Sequence, residues 1–362
     1  MKKQYIWSDR GMLTSGGSVS MALTLAVVLS ALLPGCQAPS RTNGAGGANA
    51  AAATGKNDAN TDPRPYPQIM REARDLAIKQ VVASSQSEDA YLRANAMETA
   101  RYLPNRATPM VQRALDDPAA PVRFAALVTM GRLKLADLAP AARRRLDDPS
   151  ASVRAAAMFA LRASGQKADL TPLAQMLVSQ DPATRGNAAL ILGLIGDPSA
   201  IPMLKDEART PMPRVSGVRE AIVRLQVAEA IAKLGDMSVL DAIRAGVFSQ
   251  FDEVRVMAVQ MLGQLEDRKY ENAIGGLLDK PPVELQLVAA EALARIGYDQ
   301  GLPIALDAGR HQVTAVRSQA ALTLGSFRDV RAAKALVAML DDPQEQVRLS
   351  AAAALLKAIS SF

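Results

Sequence analysis

From residue 68 to the end of the chain, apolar positions return at helical spacing, not in the alternation of a strand. Val-Arg pairs at 122–123, 153–154 and 347–348 set the register. Counted from the Arg, an aliphatic residue stands at −1, Ala at +3, and large apolar residues at +7 and +10. One unit reads Val316, Ala320, Leu324 and Phe327. These offsets fall on one stripe of a helix. A second apolar stretch, such as 135–146 or 335–340, precedes each of these helices. Each unit therefore predicts helix, turn, helix.

The anchor series is Arg93, Arg123, Arg154, Arg185, Arg224, Arg255, Gln286, Arg317 and Arg348, with steps of 30, 31, 31, 39, 31, 31, 31 and 31. A fixed period of this kind marks a repeat architecture whose units bury their faces only on neighbours. Leu-Asp-Asp-Pro recurs at 115–118, 146–149 and 340–343. It predicts helix starts with Asp as N-cap and Pro at the first helical position. Gly165, Gly196, Gly235 and Gly297 stand where left-handed C-caps belong.

The 31-residue unit, with Asp and Arg six apart in Asp117…Arg123, Asp148…Arg154 and Asp342…Arg348, resembles the short HEAT-like repeats first associated with phycobilisome lyases. The resemblance covers residues 68–362. It implies an all-α, right-handed α-solenoid of about nine helix-turn-helix units, with the Asp and Arg side chains laddered between turns. Helix pairs stacked at roughly 8–10 Å predict a curved rod on the order of 80–90 Å long. Tetratricopeptide and ankyrin units fit worse, since neither their periods nor their signature residues occur.

The N-terminus follows a different pattern. Lys2, Lys3 and Arg10 precede an apolar run at 21–33, too short to span a bilayer and suited to a signal peptide over 1–35. Leu33-Pro34-Gly35-Cys36 resembles the lipobox of bacterial lipoproteins, with Pro34 departing from the usual small residue. That resemblance implies cleavage before Cys36 and acylation of its thiol with more than one chain, such as palmitate, because a single chain anchors only marginally. Residues 36–67 are low-complexity and predict a flexible tether. The expected location is the bacterial envelope, facing the periplasm, with Gln37 favouring the outer membrane.

Composition removes several chemistries. Cys36 and His311 are the only cysteine and histidine. No disulfide within the chain and no Cys/His zinc site can be built from them. His311 falls in a turn between helices. The acidic pairs at 116–117, 147–148 and 341–342 recur at one repeat position, which capping explains better than acid–base catalysis. No Gly-rich phosphate loop or Ser/His/Asp set occurs. The formal net charge of +6 is modest, and the second helices are not notably basic, which argues against nucleic acid. No metal, cofactor or enzymatic activity is expected.

Two surfaces remain as candidates. The long step between Arg185 and Arg224 carries eight extra residues within 205–219, holding Arg209, Arg214 and Arg219. Such insertions map to loops and often bind partners. The second is the outer stripe of the second helices, expected to line a concave face. It is apolar at Val128, Phe159, Leu190 and Leu194 and polar at Gln226, Glu229 and Arg295. An apolar patch on an otherwise polar face suggests partner binding. The expected function is a membrane-anchored interaction scaffold or assembly factor for envelope proteins not identified by sequence. The alternative is a lyase-like enzyme or chaperone acting on a protein-bound tetrapyrrole or other small ligand.

Overall fold

The computed structural model describes residues 64–360. The expectations for 1–63, including the export segment, Cys36 and most of the tether, lie outside the described residues. Among the described residues the chain forms eighteen α-helices and no strand. They alternate between two layers. The outer layer holds α1 (Tyr66–Ser84), α3 (Pro104–Ala114), α5 (Ala139–Arg144), α7 (Thr171–Leu177), α9 (Ile201–Glu207), α11 (Leu240–Gly246), α13 (Glu271–Gly275), α15 (Leu302–Ala308) and α17 (Val330–Met339). The inner layer holds α2 (Ala90–Thr99), α4 (Ala120–Leu133), α6 (Ala151–Ala163), α8 (Pro182–Ile195), α10 (Gly217–Lys233), α12 (Asp252–Gln264), α14 (Val283–Arg295), α16 (Thr314–Leu324) and α18 (Glu345–Ile359). This is the expected all-α solenoid of nine helix pairs.

The expected open rod is corrected. The first helix, α1, packs along the last, α18, with α17 beside it, and α18 also touches α2. Ser84 and Ser87 hydroxyls donate to Glu345 at 2.9 and 3.2 Å, and Arg348 Nε donates to Gln80 Oε1 at 3.3 Å. The array therefore closes into a ring, in which each pair turns by roughly 40°. The terminal faces that a rod would leave wet bury each other, with Ile69, Met70, Ala73, Ala77 and Val81 of α1 inside.

Close approach in the inner layer supplies the curvature. Gly131, Gly193, Gly263 and Gly325 all stand eight residues after an anchor Arg, in every second unit. Each faces the next inner helix. A methyl added at Gly263 would lie 2.7 Å from Cα and Cβ of Ala292, and one at Gly325 would lie 2.7 Å from Cβ of Ala354. A methyl at Gly193 would press on Ala230, and one at Gly131 on the Phe159 ring. The glycines thus let α4 approach α6, α8 approach α10, α12 approach α14 and α16 approach α18, while α2 packs on α4 as closely without one. Outer helices of only five to seven residues in α5, α7, α9, α11, α13 and α15 complete the wedge.

The Arg anchors lock the turns. Arg123 Nη1 donates to the carbonyls of Asp117 and Pro118 in its own unit, at 2.8 and 3.0 Å. Its Nε and Nη2 clasp Asp148 of the next unit, both at 2.8 Å. Arg93 clasps Asp117 and Arg317 clasps Asp342 in the same bidentate way. The Asp residues of Leu-Asp-Asp-Pro are not N-caps, which corrects the capping expectation. The N-caps are Ala119, Ser150 and Gln344. The carboxylates of Asp117, Asp148 and Asp342 instead accept the N–H two residues on and the Arg of the unit before. Asp181-Pro182 at α8 does cap as expected. The four glycine C-caps take positive φ, from +75° to +99°.

Candidate functional site

Closure changes the stripe that the sequence offers as a concave binding face. Val128, Phe159 and Leu190 are buried, at 1%, 5% and 4% exposure, and Leu194 packs against the same core. Neighbouring inner helices cover them. Phe159 fills the space left by Gly131. These four side chains form no surface patch. The polar members are buried as well: Gln226 and Glu229 lie inside with Gln260, Glu291 and Gln319. Gln226 lies against Gly186 of the adjacent inner helix.

Hydrogen bonds account for much of this polar lining. Thr129 Oγ1 donates to the carbonyl of Met97 at 2.8 Å, Thr323 Oγ1 to that of Leu287 at 3.2 Å, and Asn187 Nδ2 to Ser152 Oγ at 2.7 Å. Glu229 pairs with Lys233 at 2.5 Å and Glu291 with Arg295 at 2.9 Å, each one turn apart on its helix. Charges from separate units also meet. Lys357 of α18 lies 3.9 Å from Glu291 of α14. Arg132 of α4 feels Arg101, Glu98 and Tyr102 of the first unit and Glu229 of the fifth.

This cluster is electrostatically strained. Burial pushes the Glu98 carboxyl up, against the opposing pull of Arg101 and Arg132. Burial holds Lys357 down to about 8, with Glu291 opposing and Arg295 and Arg101 adding to the depression. Burial raises the Tyr102 hydroxyl as well. Desolvation is the leading cause in each case, as expected where charges line a closed interior.

The inner layer is loosest where its ends meet. Between α2 and α18 lies a small cleft, part of it open to solvent. The other inner helices close up on small residues, but this seam has no glycine of the Gly131 kind. Leu92, Leu322, Leu349 and Ala353 line one end, and Glu98, Arg101, Tyr102 and Lys357 the other.

The insert at 205–219 does two things. It lengthens α10, which begins at Gly217 with Ser216 as N-cap, and it supplies cover for Arg185. Arg185 is 1% exposed. It donates Nε to the carbonyl of Ser179 at 2.9 Å and pairs through Nη1 with Glu207 at 2.5 Å. Met212 is buried beside them. Arg209, Arg214 and Arg219 all remain exposed, with Arg209 near Asp206 at 3.7 Å.

The outer surface carries a feature that sequence reasoning passed over. Phe248, just beyond α11, is 70% exposed. Its ring meets Tyr270 edge-on, with centroids 6.4 Å apart, and the Arg244 guanidinium lies 5.3 Å from the Tyr270 centroid. Arg244 is fixed by Asp267 through two hydrogen bonds of 2.8 and 3.0 Å. Met237, at the start of the same unit, is half exposed. The signal was available: Phe248 occupies the turn position that holds Asp116, Asp147 and Asp341 elsewhere.

Among the described residues no group of three or more His, Cys, Asp and Glu side chains could hold a metal ion, and no helix is long and apolar enough to cross a membrane. A family model described as HEAT repeats matches residues 78–162, 140–222 and 271–357, more than half of the chain. No curated protein matches. Among solved structures, the complex of CpcE and CpcF of phycocyanin lyase from Nostoc sp. PCC7120 shares 20% identity over 70% of this chain and 97% of that one, with a TM-score of 0.39. Human deoxyhypusine hydroxylase shares 18% identity over 82% of this chain and 98% of its own, with a TM-score of 0.35. These likenesses concern the fold alone.

Proposed function

The chain belongs to the HEAT-repeat family, and from that premise we propose that it is a protein-binding scaffold held at a bacterial envelope membrane by acylation of Cys36. HEAT-repeat proteins bind other proteins. The observation that supports a binding role here is the exposed Phe248 against Tyr270 and Arg244. Aromatic and Arg side chains dominate the energetic centres of protein interfaces. Arg244 and Tyr270 are held in place by Asp267 and by each other, so little side-chain freedom is lost on contact. Apart from its edge-on contact with Tyr270, the Phe248 ring is left 70% exposed in a turn that is acidic in sister units. The partner surface lies on the outside, with the exposed Arg209, Arg214 and Arg219 of the insert as a further contact region.

The test is crosslinking in cells followed by purification from envelope fractions. Capture of a defined envelope protein by the wild type, lost in Phe248→Glu with an unchanged melting temperature, supports the reading. Equal capture by both chains removes the Phe248 surface from it. For the anchor, Cys36→Ser should move the chain from the membrane to the soluble fraction and abolish incorporation of labelled palmitate. Retention of label would overturn acylation at that residue.

A further inference from the structure

The outer surface of the ring is unevenly charged. The first three outer helices expose Arg71, Arg74 and Lys79 on α1, Arg106 and Arg113 on α3, and Arg143 and Arg144 on α5. Their only exposed anions are Glu72 and Asp75, and Arg64 already pairs with Glu72. The ladder arginines Arg93, Arg123 and Arg317 are bound to carboxylates. Among the described residues the seven outer cations form no ion pair, and only Arg143 donates a side-chain hydrogen bond, to Gln166 at 3.3 Å. On the far arc, α11, α13 and α15 carry Asp241, Glu271 and Asp307 with one cation, Arg244, which Asp241 and Asp267 hold. Unpaired cations gathered on one arc create a positive field that an extended anionic surface would meet.

Three features fit a lipid bilayer better than a soluble acidic protein. The cations spread over three successive units, and the one large apolar side chain exposed on these helices is Leu76, at 53%. An aromatic centre of the kind that dominates protein interfaces is missing from this arc, whereas a single apolar side chain among cations suits the headgroup boundary. The chain also enters the ring here: residues 37–63 lead from Cys36 to Arg64 and the start of α1. Finally, Phe248 follows the sixth outer helix, four pairs beyond α3. At roughly 40° per pair it stands about 160° round the ring from the centre of the basic arc.

We infer that the outer arc of α1, α3 and α5 lies on an anionic lipid bilayer, its cations against phosphate headgroups, with the Phe248 surface turned away from the membrane. The role of Phe248 rests on the scaffold reading, but the lipid contact requires neither Phe248 nor acylation of Cys36. Where Cys36 is acylated, the acyl group and the basic arc together supply the two signals that stable attachment takes.

The test is sedimentation of residues 36–362 carrying Cys36→Ser, which leaves no thiol to acylate, with vesicles of phosphatidylcholine or of an equimolar mixture with phosphatidylglycerol. Binding to the mixed vesicles should be at least about tenfold tighter than to phosphatidylcholine. It should be lost as salt shortens the screening length from about 10 Å at 0.1 M to about 3 Å at 1 M. A basic side chain at such a surface contributes about fivefold. Arg106→Gln, Arg113→Gln, Arg143→Gln and Arg144→Gln in one chain should therefore weaken binding by about a hundredfold or more. Arg268→Gln, Lys269→Gln, Lys280→Gln and Arg310→Gln in one chain make the same change in net charge on the far arc, at exposed positions, and should leave binding nearly unchanged. If either variant fails to fold, the lipid and salt dependence of the parent chain still decides. Equal binding to both vesicles, or equal loss in both variants, would overturn the inference. Capture of polyglutamate without vesicle binding would overturn it too and assign the arc to an acidic protein.

Discussion

At the residue scale, the Arg that marks each unit does two jobs whose costs can be separated. Arg123 closes its own turn through two carbonyls and clasps Asp148, whose side chain is wholly buried. Arg154 closes its own turn in the same way, at 2.8 and 3.2 Å, but the next unit places Ser179 where the acidic partner would be. Arg123→Ala leaves the buried Asp148 carboxylate with only Ser150 N–H and Arg145 at 3.7 Å, and such losses cost about 3–5 kcal/mol. Arg154→Ala loses only hydrogen bonds to carbonyls, about 1–3 kcal/mol. Denaturant unfolding should rank the two in that order. If they cost the same, the bond to Asp148 adds nothing to the turn. Lys357 gives a pH signature of the same sense as a paired carboxylate, but in an alkaline window. Its folded value is held down to about 8, whereas an unfolded lysine stays protonated to about 10.4. Between these limits the unfolded chain binds more protons, so stability rises with pH. The gain approaches at most about 1.4 kcal/mol per pH unit. Urea unfolding at pH 7 and 9.5 should show this rise in the wild type and lose it in Lys357→Met.

At the element scale, the packing of inner helices in pairs rests on glycines. Gly263→Ala gains helix propensity of about 1 kcal/mol, yet its methyl would lie 2.7 Å from the Ala292 backbone carbon. Two helices must then separate, and overpacking of this kind costs about 1–3 kcal/mol. The expected outcome is a lower melting temperature. Ala294 holds the same register in the next unit and is half exposed, so Ala294→Gly should cost only its propensity. The pairing was legible. Gly131, Gly193, Gly263 and Gly325 stand 62, 70 and 62 residues apart, twice the repeat with the insert counted once. Helix pairs, C-caps and the Asp…Arg ladder also read directly from spacing, because each depends on contacts within a unit or between two adjacent units. The candidate surface did not. Gln226 and Phe159 have the sequence of an exposed helical face, and what buries them is the adjacent inner helix, where Gly186 and Gly131 leave room for their side chains. The Asp-Pro turns misled for a related reason: a carboxylate near a helix start is drawn to the Arg of the preceding unit, which gives it two charge-assisted hydrogen bonds in place of one cap.

At the scale of the molecule, closure replaces two exposed ends with one more interface. An open array gains stability from each neighbour contact but leaves its terminal faces wet. Here α1 acts as the outer helix that follows α18, and Gln80, Ser84 and Ser87 receive Arg348 and Glu345 much as one unit receives another. The seam is nevertheless unlike the other junctions, since α2 and α18 only graze each other and enclose the cleft. Two consequences can be measured on a chain beginning at residue 64. Its radius of gyration in solution scattering should be roughly 19 Å, the value for a compact body of this length, whereas an open rod of 80–90 Å would give roughly 25 Å or more. A chain shortened further to begin at residue 86 lacks α1 and bares the apolar side of α17 and α18. It should unfold over a broader range, because fraying can start at an end that no longer exists in the ring, and it should self-associate through the exposed face. If that shorter chain instead unfolds as sharply as the longer one and stays monomeric, the stability of the molecule does not depend on its closure.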